Sequence, residues 1–446
     1  MASAAEQLAS QMNWGAFSKA AELKSRLLFV LGAIIIYRIG THIPLPGIDI
    51  GVWNEIYSQK AGGILDMFNM FAGGALARMT IFALNIMPYI SASIIMQLAS
   101  SMVPSLEAIK KEGETGRVRI NQYTRYLTVL LASVQAWGLA VGLESMQGAS
   151  GSAVIDPGLF FRISTVITIV GGTVFLMWLG EQITQRGVGN GISLLIFAGI
   201  VAELPRAVAG VLELGRQGQF NVLVLFMMFA MVVGVIVFIV FMERAQRRIL
   251  VQYPKRQVGS RMFGGESSHL PLKLNTSGVI PPIFASSLLL LPVTALSFSA
   301  GQGPAWLSTI TAWIGHGQPL YMAFYVGLIV FFAFFYTSVV FNPVDTAENL
   351  RKNGGFVPGI RPGKNTAEYI DFVLTRLTAV GAVYLSVVCL LPEILISQYA
   401  VPFYFGGTSL LIVVNVNMDF VAQVQSHLLA HQYEGLIRKA KLKGRR

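Results

Sequence analysis

Ten stretches of about 20 predominantly apolar residues, the length that crosses the hydrocarbon of a bilayer, punctuate this chain. They fall near 24–43, 79–102, 123–143, 158–180, 188–208, 220–242, 274–297, 319–341, 372–394 and 403–425. The charged or turn-rich segments between them cannot rest in lipid, where an irregular backbone leaves its N–H and C=O groups unpaired. The sequence therefore predicts an all-α polytopic membrane protein with ten transmembrane helices. Composition agrees: 12% of the 446 residues are charged, against about 25% in a soluble domain. A single cysteine, Cys389, excludes an internal disulfide framework and a cysteine-rich metal site. The chain starts polar and small, and its first apolar run opens near Leu27, so no cleavable signal peptide is expected.

Lys and Arg set the orientation of such a chain. Apart from Arg38, Lys60, Arg78, Arg162, Arg206 and Arg216, the basic residues, 27 of the 33, lie in 1–26, 103–125, 181–187, 243–273, 342–376 and 426–446. These are alternate connections, so they share one face. Both termini are then cytoplasmic, and the uncharged loop 298–318 faces the other side. The net charge of +11 coats the cytoplasmic face. Orientation alone accounts for much of this bias, but two loops exceed it. The stretch "ERAQRRILVQYPKRQVGSR" (243–261) carries Arg247, Arg248, Lys255 and Arg256 around Ile249-Leu250-Val251, which suits a hairpin strand before a Tyr253-Pro254 turn. In "RKNGGFVPGIRPGKNT" (351–366), two Pro-Gly pairs frame Ile360-Arg361 and predict a rigid tip that presents Arg361. With the basic tail "IRKAKLKGRR", these elements suit an acidic or phosphate-rich partner.

The spans themselves hold little ionic chemistry. Pumps and ion-coupled transporters place charge at mid-membrane, whereas Arg38, Arg78, Glu181, Arg376 and Asp419 lie near span ends and all five histidines lie outside span centres. His427 and His431 share helical spacing, but a solvated or interfacial pair is the plainer reading than a metal site. "GVGNGIS" (Gly187, Gly189, Gly191) lacks the strand and lysine of a phosphate loop, so close helix packing or an irregular span start explains it better. No metal, cofactor or nucleophile–base pair is expected, and the chain reads as a non-enzyme. A passive route with an apolar lining remains. Ile86 and Ile90, and again Ile192 and Ile196, are four apart and share a helix face, though such pairs usually pack against neighbours or lipid.

One stretch fits no simple span. "DMFNMFAGGALARMTIFAL" (66–84) opens with a short apolar burst, breaks at Gly73-Gly74 and restarts as a full-length apolar run. The burst is too short to cross a bilayer and too apolar for water.

Several motifs resemble the bacterial SecY family in order along the chain: "DMFNMFAGGAL", "IFALNIMPYISASIIMQL", "KKEGETGR", "GEQITQRGVGNGIS", "VIPPIFASS", "GFVPGIRPGKNTAEYID" and "VPFYFGGTSLLIVV". The resemblance implies a protein-conducting channel of two inverted five-helix halves, 24–208 and 209–425, around an hourglass pore. A cytoplasmic segment (1–23) precedes them, loops 243–273 and 342–371 interrupt the second half, and a basic tail (426–446) follows. The pore ring implied is Ile86, Ile90, Ile192, Ile196, Ile283 and Ile412; Ile283 rests on family similarity alone, since spacing does not favour it over Ile280. An aliphatic collar of this kind excludes water and ions by dewetting. The short burst becomes a plug at about 64–74 (Leu65, Met67, Phe68, Met70, Phe71), hinged at Gly73 and Gly74. Arg361, with Arg247, Arg248, Lys255 and Arg256, becomes a docking surface for the motor ATPase SecA or a translating ribosome. SecE and SecG complete the implied trimer; SecDF, YajC and YidC are further implied associates. Unfolded preproteins, their signal sequences and membrane lipid are the implied substrates and surroundings, in the bacterial inner membrane. Asn415, three residues after Ile412, is expected on the pore side, either wetting the collar's edge or bonding across helices; Asn417 shares its departure from the aliphatic pattern. An inverted-repeat secondary transporter and a ribosome-anchoring scaffold are the competing readings.

Overall fold

The computed structural model describes residues 21–59, 69–148, 151–218, 222–253, 256–258, 261–263, 267–298, 318–399 and 407–443. Leu65, Met67, Phe68 and Lys255 lie outside these residues. Among the described residues, ten helices of 16 residues or more overlap the ten apolar windows, which makes this a mostly helical, many-span membrane protein. In chain order the helices are α1 (Ala21–Gly40), α2 (Ile50–Gln59), α3 (Met87–Met102), α4 (Pro104–Lys111), α5 (Glu114–Ser145), α6 (Leu159–Arg186) and α7 (Gly191–Arg216). There follow α8 (Val222–Arg244), α9 (Ile280–Phe298), α10 (Pro319–Val340), α11 (Pro343–Lys352), α12 (Lys364–Tyr399) and α13 (Gly407–Lys443). Among the described residues, seven helices are long and apolar enough to cross a membrane, and the α3–α4 pair, bent by 96° at Val103, makes an eighth. The shorter apolar α9 and the charge-flanked α1 complete the set of ten.

Helix ends follow local chemistry. Asn190 caps α7 by accepting from the Ile192 and Ser193 amides, and Asn342 caps α11 ahead of Pro343 in the same way. Gly191 lets the start of α7 press onto the Gly180 carbonyl of α6, so the glycines of "GVGNGIS" serve packing. The core is continuous: Leu139 and Leu143 (α5), Ile169 and Leu176 (α6), Leu195 and Ile200 (α7), Ile329 (α10), Leu385 (α12) and Leu411 (α13) are all wholly buried. Only 6% of the apolar stretch of α8 is buried, against 56% for α12. Thus α8 lies at the rim, facing lipid, and α12 lies inside. Helix α3 packs between α5 and α9.

The second window differs from expectation. Residues 72–86 run as successive turns, with Met79 and Asn85 at positive φ, and the helix begins only at Met87, with Pro88 in its first turn. Ile86 is therefore a helix cap and not an interior residue of a span from 79.

At the basic end, β3 (Gln246–Gln252) pairs antiparallel with β6 (Ser267–Lys273), and β4 (Arg256–Val258) pairs with β5 (Arg261–Phe263) beyond them. The chain also forms a two-residue hairpin, β1 (Gln147–Gly148) with β2 (Gly151–Ser152), at the other end of α5. Gln252 exchanges two backbone hydrogen bonds of 2.9 Å with Phe356, which joins the long hairpin to the loop before α12. Ile249, Leu272, Val357 and Val373 bury against one another beneath the joint. The two basic loops that look separate in sequence are one block.

Candidate functional site: an isoleucine collar and the segment seated against it

Four helices bring side chains more than 300 residues apart in sequence to one point. Ile86 and Ile90 (start of α3), Ile196 (α7), Ile283 (α9) and Ile412 (α13) line a single small cavity. Ile86 and Ile412 are each 1% exposed with Phe71 seated against them. Phe71 and Met87 add apolar walls, and the polar lining is Asn85, Ser286 and Ser287. Ile192 does not line this cavity. It sits one helical turn, about 6 Å, nearer the start of α7, and packs against Gly180 of α6.

Of the predicted plug residues, Met70 and Phe71 are buried, and Phe71 reaches the cavity beside the isoleucines. Gly73 and Gly74 have φ of +64° and +81°, a region that favours glycine. Space favours glycine at 73 too, where a Cβ would lie 3.0 Å from the Gly199 Cα of α7; one on Gly74 would meet only the movable ends of Glu203 and Arg78. The pair therefore permits a backbone-on-backbone seat against α7 as well as a bend.

This segment is held by side chains that the sequence did not single out for it. Asn85 Nδ2 donates to the Phe71 carbonyl (2.5 Å), Tyr37 Oη to Ala72 (3.3 Å) and Arg38 Nη1 to Gly73 (2.9 Å). Trp53 Nε1 of α2 donates to the carbonyls of Leu76 and Ala77, at 3.2 and 3.0 Å. The Asn69 side chain accepts from the Ala77 amide at 2.8 Å. Arg78 pairs with Glu203 at 3.6 Å and donates to His42 Nε2 at 2.9 Å. Backbone outside a helix, when enclosed by apolar walls, must find its partners within the protein, and here side chains supply them. The signal available in sequence was small: a lone Asn within "IFALNIMPY" and a Tyr-Arg pair closing the first window.

The expected place of Asn415 on the cavity is corrected. An i+3 step turns a helix face by about 300°, leaving Asn415 roughly 60° away from Ile412. It is buried, does not line the cavity, and faces the Glu243 carboxylate, with its Nδ2 closing no hydrogen bond. Glu243 accepts from Asn275 Nδ2 at 2.7 Å and from Tyr384 Oη at 3.4 Å, and Asn275 also donates to the Gly278 carbonyl just before α9. This polar knot ties the base of the basic hairpin to the start of α9. Replacing Asn415 with Val should leave resting ion conductance within about twofold of the parent, because Asn415 lies off the cavity lining. Glu243 keeps Asn275 and Tyr384 as donors, so the melting temperature should change little. A several-fold conductance rise in planar bilayers would return Asn415 to the lining.

On the basic face, Arg247, Arg248 and Arg361 are exposed, and Arg256 lies in β4 opposite Phe263. The Ile360 amide donates to the Val357 carbonyl at 3.1 Å around Pro358-Gly359, with Gly359 at φ +82°, the pattern of a type II turn. Arg361 follows directly, anchored by its carbonyl to Thr366 Oγ1 at 2.9 Å.

A many-span helical membrane protein with an aliphatic waist, and a folded-in segment seated against that waist, is a channel-like architecture. The chain belongs to the SecY family, whose model matches residues 80–421. The protein translocase subunit SecY of Escherichia coli K12 is 58% identical over 424 residues, which cover 95% of this chain and 96% of that relative. A solved structure described as showing that the plug domain of SecY stabilises the closed state of the translocation channel and maintains a membrane seal matches with a TM-score of 0.63. That match covers 91% of this chain and 92% of the other at 18% identity. Sec61 in the canine ribosome–channel complex from the endoplasmic reticulum matches at 0.62, with 16% identity and the same two coverages. At those identities the likeness is one of fold.

Proposed function

We propose that the chain is the channel-forming subunit of a bacterial Sec translocase, without catalytic activity of its own. It passes unfolded preproteins through the isoleucine collar and releases apolar segments sideways between α3 and α9. The observation that carries this reading is the convergence of Ile86, Ile90, Ile196, Ile283 and Ile412 on one cavity, with Phe71 set against them. An aliphatic constriction offers a passing chain no strong partner and holds no continuous water when closed. Segments of about 20 apolar residues leave for lipid because partitioning favours it. In this reading 64–74 is the plug, 24–208 and 209–425 are inverted halves, and both termini are cytoplasmic in the inner membrane.

The block made by the β3–β6 hairpin and the Arg361 tip receives SecA or the ribosome, and SecE and SecG complete the trimer. Likeness to a ribosome-bound channel supports the ribosomal partner in kind. Energy comes from these partners and from the membrane potential.

Site-specific crosslinking tests the route. Probes at 90 and 283 should both capture an arrested translocating chain, whereas a probe at Phe226 on the lipid-facing side of α8 should not. Capture at 226 with none at 90 or 283 would overturn the proposal.

A further inference from the structure

Five side chains donate to the 71–77 carbonyls: Tyr37, Arg38 and Trp53 come from α1 and α2, and Thr80 reaches Ala75 from the segment's own continuation. The fifth, Asn85, differs in kind. It stands one residue before the cap of α3, and α3 packs directly on α9. Its φ is +47°, which is uncommon outside glycine and tolerated best by Asn and Asp. Glycine would fit that backbone but offers no donor. An aspartate would fit too, but its carboxylate would meet the Phe71 carbonyl acceptor against acceptor. Asparagine satisfies both demands. The side chain is buried (2% exposed), its Oδ1 has no partner, and its Nδ2 donates to the Phe71 carbonyl beside the Tyr37 hydroxyl. The same residue lines the collar cavity together with Phe71, Ile86 and Ser287 of α9.

We propose that Asn85 is an interlock between the seated segment and the α3–α9 seam. Because Asn85 is covalently continuous with α3, movement of α3 away from α9 carries the Nδ2 donor off the Phe71 carbonyl and frees the segment. By reciprocity, a seated segment holds α3 in its closed position. Tyr37 and Arg38 steady the same carbonyl row from α1, so they add to the hold without reporting on the seam. This inference rests on the reading of 64–74 as a seal and of α3–α9 as the exit.

The test compares the full chain with Asn85→Gly, Tyr37→Phe and a deletion of 64–72 in planar bilayers, each with and without a disulfide that locks α3 to α9. Asn85→Gly keeps the positive φ and removes only the donor. Its resting conductance should rise about tenfold, the equivalent of one hydrogen bond of about 1.4 kcal/mol. The rise should persist when the seam is locked, because the segment then moves independently of α3. Tyr37→Phe should raise conductance without lock-independence: locking should still suppress it, as it does in the parent opened by a signal peptide. Asn85→Asp also keeps the backbone and serves if the glycine variant folds poorly: ionised, it loses the donor and should leak at least as much as Asn85→Gly, and acidification, which turns the carboxyl into an O–H donor, should lower that leak. An Asn85 variant no leakier than the parent, or one whose leak the lock abolishes, would overturn the interlock. Failure of the 64–72 deletion to leak would instead overturn the seal reading.

Discussion

Deleting residues 64–72 raises resting ion conductance in planar bilayers by on the order of a hundredfold. The expectation follows from what holds the end of that segment. Three side chains take the carbonyls of Phe71, Ala72 and Gly73, each such bond contributing about 1 kcal/mol net. Burying Phe71 against the isoleucines adds roughly 2 kcal/mol. Against about 5 kcal/mol of hold, ordering the segment costs part of the gain. A few kcal/mol remain, which keeps the segment seated for all but about one part in a hundred or a thousand. Removal converts that rare state into the permanent one. The collar remains, so the deleted channel should still pass small ions only, and a flux assay with ions of increasing size would show a cut-off. Conductance equal to that of the parent would mean that the five isoleucines seal unaided and that 64–72 serves another purpose.

The limits of the sequence show most clearly around this segment. Ten spans were legible because lipid imposes one length and one polarity on each. The onset of α3 was not, because "TIFALNI" is as apolar as any helix interior. What keeps a helix from forming there is pairing with chain that precedes it: the Ile81 amide donates to the Ile43 carbonyl, Thr80 bridges Pro44, and Asn85 turns back onto Phe71, and these leave no periodic trace. The collar was half legible. Periodicity offered Ile86/Ile90 and Ile192/Ile196 as faces without saying what they face, and only family resemblance selected Ile283 and Ile412. For Asn415 the pore-side placing missed on helix phase, since about 60° of rotation separates the collar from the Glu243 knot, while the alternative of a contact across helices fits its place beside Glu243. Glu243 itself was legible only as an acid opening a basic loop. The joining of the hairpin to the Arg361 loop through Gln252 and Phe356 is a long-range pairing that neither loop's composition announces.

Reversing the charge at Arg361 is expected to cut motor-driven export by about a hundredfold or more while sparing most ribosome-coupled insertion. The asymmetry comes from how the cation is mounted. Arg361 follows a glycine-bearing turn and is anchored by Thr366, on a block clamped to the hairpin and underlain by Ile249, Leu272, Val357 and Val373. A guanidinium carried on a fixed backbone can meet a carboxylate bidentately, with only its own side-chain rotamers left to order. Beyond about 8 Å, salt at physiological strength screens such a charge, so a large effect requires direct contact with the partner. Removing one member of a desolvated charge pair costs about 2–5 kcal/mol, and reversal to Glu adds repulsion. A partner rich in phosphates behaves differently, because it is held by many cations through counterion release. Arg247, Arg248 and Arg256 remain, and losing one contact should mainly lower the salt slope by about one unit. Inverted membrane vesicles carrying Arg361→Glu, Arg361→Lys and the parent separate the two modes when both routes are assayed across a salt series. Lys, which keeps the charge but loses the fork, should fall between the parent and Glu in motor-driven export. Equal loss of both routes in Arg361→Glu would show that the tip supports the whole block and does not dock one partner.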